Sequence, residues 1–343
     1  MGLIGWIRER HAHGDEHDHG HGKQEFAALA ERVTRFHPRL RLVSHYRRKL
    51  RPALSQALSH IGRLVHDLPA PRDASEQSWG TDPYIHAFFG TPHDVPLTFS
   101  RSPELREFFA TSPGMQTAVV VLGMTMTERR TLGMALEGDV MRSEVPQTNI
   151  SFSEHRISIM ADTDAALRDE IIRRMLDQLA LEALARMTAG RTRHDELDRE
   201  QALLIARLRL FERQGTGMRS VLGNDAAMSA TEAASLREQI ASNEQALSQL
   251  SGKAGALDRQ LECLAETLTD APARFAISHT ALRLSATNVL LAPDSTTPAV
   301  DIDLLTAHVP GDPPLVRAFT LASFARRDMI SQRALLNEAE RFL

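Results

Sequence analysis

A heptad repeat over residues 236–268 constrains the fold more than any other feature of this sequence. Its positions alternate at intervals of four and three residues, and they are apolar except for one Asn. This spacing is typical of a coiled-coil seam, whereas a helix that covers a globular core usually has a wider apolar stripe. With Ala254 completing the repeat, the seam residues are Leu236, Ile240, Asn243, Leu247, Leu250, Leu257, Leu261, Leu264 and Leu268.

A second helical stretch, residues 164–213, lies earlier in the chain and offers a partner for this seam. It keeps the same rhythm at Leu197, Leu204 and Leu208, and a segment containing glycines separates the two stretches. Such a segment can reverse the chain. The spacing therefore predicts an antiparallel helical hairpin within one chain, and the alternative is a homodimer in which the seam pairs between two chains.

Residues of strand type stand on both sides of the helical stretches. Residues 117–126 are a β-branched apolar run, and residues 130–140 and 149–160 alternate apolar and polar side chains. Together they predict three antiparallel strands, with a bulge or turn near 153–156, where the alternation changes parity. Further strands are expected around 275–291, 299–309 and 315–324. The predicted fold class is α+β, mainly helical, with antiparallel β segments interrupted by a long antiparallel helical hairpin.

Five segments follow from these patterns. They are a flexible His-rich tail (1–22), a basic helical segment (23–68), a mixed region with antiparallel strands (69–162), the helical hairpin or coiled coil (163–270), and strands that return to the sheet plus a C-terminal helix (271–343).

Composition places the chain among globular proteins. Hydrophobic residues make up 42% and charged residues 24%, with a net charge of −4. Cys263 is the one cysteine, which excludes an intrachain disulfide and a cysteine-based zinc cluster. Since no run approaches the ~20 apolar residues that span a bilayer, we expect no transmembrane segment and a cytoplasmic location.

A histidine tract near the start of the chain is a candidate metal-binding arm. Imidazoles in a mixed acidic and glycine-rich setting suit Zn or Ni, and metal binding requires them neutral. The alternative is a soluble tail with no selected site, because glycines make ordering costly. The candidate ligands are His11, His13, His17, His19 and His21.

A basic stretch separates charge within a chain that is acidic as a whole. Residues 32–66 contain nine Lys or Arg and no Asp or Glu. Such segregation favours an anionic partner, which could be nucleic acid, a phospholipid surface or an acidic protein face. The alternative is a solvated helix face whose charges pair with acidic patches elsewhere in the fold. The candidate anion-binding residues are Arg47, Arg48, Lys49 and Arg51.

No catalytic motif stands in the sequence: phosphate-binding loop, dinucleotide fingerprint, zinc-protease motif and nucleophile elbow are all absent. Asp301 and Asp303 alternate on one strand face and could bind a cation, or be ordinary exposed carboxylates. We therefore expect a non-enzymatic scaffold or adaptor that binds a protein partner through its coiled-coil arm. The alternatives are a binding module for anionic polymers that uses residues 32–51, and a metal-handling accessory protein that uses the histidine tract.

Overall fold

The computed structural model describes residues 21–137, 140–218, 226–251, 255–295, 297–309 and 314–335. The chain divides into two compact units. We call the first the barrel unit (Met1–Lys23, Ser55–Gln178 and Asp270–Leu343) and the second the helical unit (Gln24–Leu54 and Leu179–Thr269).

Helices and strands alternate in blocks along the chain. The helices are α1 (His21–Val33), α2 (Tyr46–His66), α3 (Glu76–Trp79), α4 (Pro83–Phe88), α5 (Asp94–Ser100), α6 (Pro103–Thr111), α7 (Asp164–Met218), α8 (Ala226–Ser251), α9 (Ala256–Thr269) and α10 (Ala271–Arg274), with 3-10 helices at Pro38–Leu42 and Arg326–Asp328. The strands are β1 (Arg72–Asp73), β2 (Thr117–Glu137), β3 (Val140–Ala161), β4 (Ala276–Leu284), β5 (Val289–Leu290), β6 (Val300–Val309) and β7 (Leu315–Ala325).

Six strands of the barrel unit form a closed antiparallel barrel. Their order is β7-β2-β3-β5-β4-β6, and β6 returns to pair with β7, while β1 adds to β7 in parallel. Closure gives each of the six strands a neighbour on both sides over part of its length, which reduces the open edges of a sheet. β2 and β3 pair with each other from Val119–Ala161 to Glu137–Val140.

Alternating residues of the strands build the core of the barrel unit. Ala118, Val120, Leu122 and Met124 all have no exposed surface, as a period of two requires when one face of a strand is buried. The same core includes side chains from α4, α5 and α6, and Phe99 of α5 stacks on Phe324 of β7 with ring centroids 4.8 Å apart. Short helices and strands thus share one hydrophobic core.

The predicted fold class is wrong. The strands pair antiparallel as expected, but they close into a barrel, and the predicted helical hairpin and coiled coil are not formed in the described residues. α7 is one helix of 55 residues, but the heptad stretch is divided between α8 and α9. α9 packs against the 3-10 helix Pro38–Leu42 and also accepts a hydrogen bond from Arg186 of α7 at Thr267, 2.8 Å, so the second half of the stripe has a partner besides α7.

The seam residues are buried to different degrees because different parts of the stripe contact different partners. Asn243 donates to Glu200 of α7 at 3.4 Å, and its side-chain oxygen is buried without a hydrogen-bond partner in the described residues. A heptad repeat shows that one face of a helix is covered, but it does not show what covers it. Leu236, Asn243, Leu247, Leu261, Leu264 and Leu268 are buried, Ile240 and Leu257 are half-buried, and the side chain of Leu250 lies outside the description.

Two of the predicted strands are one strand. β2 runs unbroken through the polar residues 127–131, because beyond Met124 it pairs with β3 and not with β7, and a two-stranded ribbon tolerates polar side chains on both faces. The predicted irregularity near 153–156 is confirmed. The register of β2 and β3 shifts opposite Ser153 and Arg156, and Glu154 has a positive φ of 50°.

Candidate anionic-surface interface

The predicted basic stretch begins in the helical unit with a helix end, a tight turn and a helix start. Residues 31–51 contain eight Lys or Arg and a single carboxylate, Glu31. Pro38 begins the 3-10 helix, and His45 adopts a positive φ of 58° immediately before α2 starts at Tyr46. We call residues 38–51 the basic turn.

Apolar side chains anchor the basic turn in the helical unit. Leu40, Val43 and Leu50 are buried. Arg41 donates to the hydroxyl of Thr34 at 3.1 Å and to the carbonyl of Glu31 at 2.9 Å, which ties the turn to the end of α1. These contacts give the turn a defined shape, and because both acceptors are neutral they do not compensate the positive charge of Arg41.

The four predicted anion-binding residues are exposed, but they are not equally available. Arg47 forms an ion pair with Glu31, and Lys49 lies 2.7 Å from the carboxylate of Asp258. Arg51 lies 5.4 Å above the ring of Phe26, within cation–π distance. The side chain of Arg48 makes no hydrogen bond or ion pair to the part of the chain that the structure describes, while its backbone N–H donates to the carbonyl of His45 at 2.9 Å.

Hydrogen bonding holds Arg47 in place. Its Nε donates to the Tyr46 hydroxyl at 3.0 Å. This hydrogen bond raises the pKa of Arg47 above its usual value, and the nearby carboxylate of Glu31 adds to the effect. The side chain remains a cation under all ordinary conditions, and its ion pair is open to solvent.

The four candidate residues leave out three residues of the basic turn, although all three lie within the predicted binding segment 32–51. Arg39 and Arg41 lie on the 3-10 helix, and Leu42 at its end is 76% exposed, the largest value among the exposed large hydrophobic residues of the described chain. The signal was present, since Leu42 stands directly after Arg41 and outside the apolar period of α2. A single exposed leucine is ordinary. This one stands on a turn whose own sequence, residues 38–51, contains six Lys or Arg and no Asp or Glu, a combination that resembles lipid-contacting surfaces.

The predicted histidine site lies almost entirely outside the described residues. His11, His13, His17 and His19 lie outside the described residues, and α1 begins at His21, whose side chain is not described, so the Zn or Ni site stays a prediction. Among the side chains that are described, no three of His, Cys, Asp or Glu converge to hold a metal ion. In the same part of the chain, no helix has the length and apolar character needed to cross a bilayer.

Comparison of the chain with protein-family models, with curated proteins and with solved structures found no match. A shared fold alone would not have assigned a function in any case. Function is therefore inferred from the chemistry of the described side chains.

Proposed function

We propose that the protein binds anionic membrane surfaces without catalysis, and that the basic turn is its contact region. The observation that carries this proposal is Leu42, an exposed leucine held on a short rigid turn between cations. Proteins that bind at the membrane surface combine these two features: apolar side chains that enter the boundary between headgroups and acyl chains, and cations that face anionic lipids.

Electrostatic attraction supplies the first part of the binding energy. Each Lys or Arg near an anionic leaflet contributes about 1 kcal/mol. Arg39, Arg41 and Arg48 have no carboxylate partner in the described residues, so they would contribute about 3 kcal/mol together. The ion pairs of Arg47 and Lys49 are solvent-exposed, and exposed pairs exchange partners at little cost.

Insertion of Leu42 supplies the second part. Complete burial of a leucine side chain contributes roughly 1.5–3 kcal/mol. With the three cations, the sum is near −5 kcal/mol, which corresponds to a dissociation constant on the order of 0.1 mM. The basic turn would therefore give reversible attachment that weakens as salt is added.

Nucleic acid is the alternative partner for a basic surface, and the contribution of Leu42 to binding distinguishes nucleic acid from a lipid surface. A polyanion such as RNA can pair with the cations of the basic turn. It offers an exposed leucine only contact with the face of a base, and aromatic side chains stack on bases better. A lipid surface uses both. The substitution of Leu42 therefore discriminates between the partners.

The test measures co-sedimentation of the full chain with phosphatidylcholine vesicles with and without phosphatidylserine. We expect binding only in the presence of phosphatidylserine, a loss of binding at high salt, and about a tenfold loss for Leu42→Ser. The matched control is Leu203→Ser, because Leu203 is also a highly exposed leucine of the helical unit but lies on α7. It should bind like the wild type.

Two results would contradict the proposal. One is failure of the wild-type protein to bind phosphatidylserine vesicles at low salt. The other is salt-sensitive binding to single-stranded RNA that exceeds vesicle binding and is unchanged by Leu42→Ser, which would identify a nucleic-acid module instead.

A further inference from the structure

The barrel has a gap where one strand changes partners. β7 pairs with β6 from Leu315–Val309 as far as Phe319–Leu305, and with β1 from Ala322 onward. Thr320 and Leu321 lie between these two pairings. Strands that part in this way leave room for side chains or a ligand, as they do at the partner-change points of other sheets.

A cavity of about 190 Å³ occupies this gap in the barrel unit. β6 and β7 supply its apolar wall through Leu304, Leu305 and Phe319. Its polar lining is Asp67, Arg72, Tyr84, His279, Asp303 and Thr320. Every one of these residues belongs to the barrel unit, so the site is formed within a single compact body.

Arg72 is held rigidly at one side of the cavity. Its Nη1 donates to both carboxylate oxygens of Asp82, at 2.9 and 3.3 Å, and the guanidinium carbon lies 3.4 Å from the centroid of the Tyr84 ring. Its Nε is buried and has no hydrogen-bond partner in the described residues. That nitrogen has almost no accessible surface, so a ligand in the cavity cannot reach it, and the pair with Asp82 makes Arg72 a fixed, neutralised part of the cavity wall.

Acceptors gather around Asp303. His279 Nδ1 lies 2.7 Å from one carboxylate oxygen of Asp303, and the backbone N–H of Asp303 donates to the Tyr84 hydroxyl at 3.0 Å. When Nδ1 donates to Asp303, the imidazole Nε2 of a neutral His279 is left as an acceptor. That nitrogen makes no hydrogen bond within the described chain.

A loop carries the second carboxylate, Asp67, to the rim. Arg168 of α7 donates to the carbonyls of Val65, Leu68 and Pro69 at 2.6, 3.0 and 2.9 Å. These hydrogen bonds fix the backbone on both sides of Asp67. The rim carboxylate thus stands on an ordered loop.

We propose that this cavity binds a small primary amine. Asp82 neutralises Arg72, so Asp67 and Asp303 leave the lining negative when His279 is neutral, and this disfavours anions. An ammonium group finds acceptors in Asp303, Asp67 and His279 Nε2. The carbon skeleton contacts Leu305 and Phe319.

The size of the cavity restricts the ligand to a few heavy atoms. At 190 Å³ it is smaller than typical sites for drug-sized ligands, which begin at about 300 Å³. So few atoms give weak binding, with a dissociation constant on the order of 1 mM for a six-atom probe. The proposal does not depend on the membrane contact, which involves the other unit.

Four probes on one three-carbon skeleton test the chemistry without changing the protein. They are serinol (ammonium and two hydroxyls), glycerol (no ammonium), isopropylamine (no hydroxyls) and glycerate (a carboxylate). Titration of the full chain at pH 8, followed by calorimetry or NMR shifts, should show tighter binding of both amines, serinol and isopropylamine, than of glycerol, with glycerate weakest. Serinol should bind about tenfold or more tighter than glycerol, because hydrogen bonds to charged groups are the strong ones.

A matched pair of variants places the site. Asp303→Asn should weaken serinol binding about tenfold. Asp301→Asn is the control, since Asp301 lies on the same strand face and pairs with Arg283 but does not line the cavity, and its binding should stay within about twofold of the wild type. Absence of serinol binding, tighter binding of glycerate, or equal loss in both variants would overturn the proposal. If Asp303→Asn fails to fold, the order of the four probes on the wild-type protein still decides.

Discussion

Two ion pairs of similar length, one in each unit, differ in what surrounds them. Arg72 and Asp82 of the barrel unit lie 2.9 Å apart with side chains about one-fifth exposed, and Asp82 also accepts from the backbone N–H groups of Tyr84 and Ile85. Lys49 and Asp258 of the helical unit lie 2.7 Å apart with side chains 50% and 40% exposed. Distance does not determine the strength of an ion pair, because removal from water and additional hydrogen bonds do.

The same contrast separates the two proposed contacts. In the barrel unit, Arg72 and Asp82 beside the cavity are each held by several contacts, which suits the selection of one small ligand by geometry. In the basic turn, cations stand in water around a single leucine, which suits a surface with many equivalent anions. Substitutions in the two units should therefore differ in magnitude and in their response to salt and pH.

The largest expected effect is that of Asp82→Ala in the barrel unit. The change removes the N-cap of α4 and leaves the guanidinium of Arg72 largely buried without its carboxylate. We expect a loss of about 3 kcal/mol in the free energy of unfolding, which combines a lost cap with a broken, partly buried pair. Urea unfolding followed by circular dichroism measures it, and a loss no larger than that of an exposed pair would remove the contrast.

A smaller effect concerns the pH dependence of the barrel unit. His155 stacks on Phe89 with centroids 4.8 Å apart, and burial lowers its pKa below the usual value of 6.5. The hydrogen bond to the Phe88 carbonyl and the charge of Asp94 oppose this shift without cancelling it.

Because the folded state then binds fewer protons than the unfolded state, stability rises with pH through this range. The contribution of His155 to the free energy of unfolding is complete above pH 6.5 and is lost as pH falls toward the lower pKa of the folded state. His155→Phe keeps the stacking and cannot titrate, so its free energy of unfolding should fall less steeply below pH 6.5 than that of the wild type. Parallel pH profiles for the two proteins would show that His155 does not contribute.

The smallest expected effect is that of Asp258→Ala in the helical unit. An exposed pair contributes at most about 0.5–1 kcal/mol, and salt screens it, so we expect a loss of about 0.5 kcal/mol that disappears in high salt. The substitution also frees Lys49, so binding to phosphatidylserine vesicles should increase slightly. A loss as large as that of Asp82→Ala would mean that exposure does not distinguish the two pairs.

Local structure was largely determined by the sequence alone, because neighbouring residues decide it. Ser102, Pro103 and Glu104 form a helix-start signature in the sequence, and Ser102 caps α6, accepting from the N–H of Leu105 at 3.2 Å. The parity change near 153–156 correctly located the irregularity in β3. The separation of basic residues in 32–66 from the acidic remainder was also visible without a structure, since charge is a property of composition.

Only the tertiary structure decided how these elements meet. Strands that alternate apolar and polar residues read the same in an open sheet and in a closed barrel, so the pairing of β6 with β7 could not be read from either strand. The heptad stripe predicted a buried face, but α9 places part of that face against the 3-10 helix Pro38–Leu42. The cavity could not be predicted from the sequence for the same reason. Arg72, His279 and Asp303 come together through barrel closure, because contacts between residues so distant in sequence depend on the packing of whole elements.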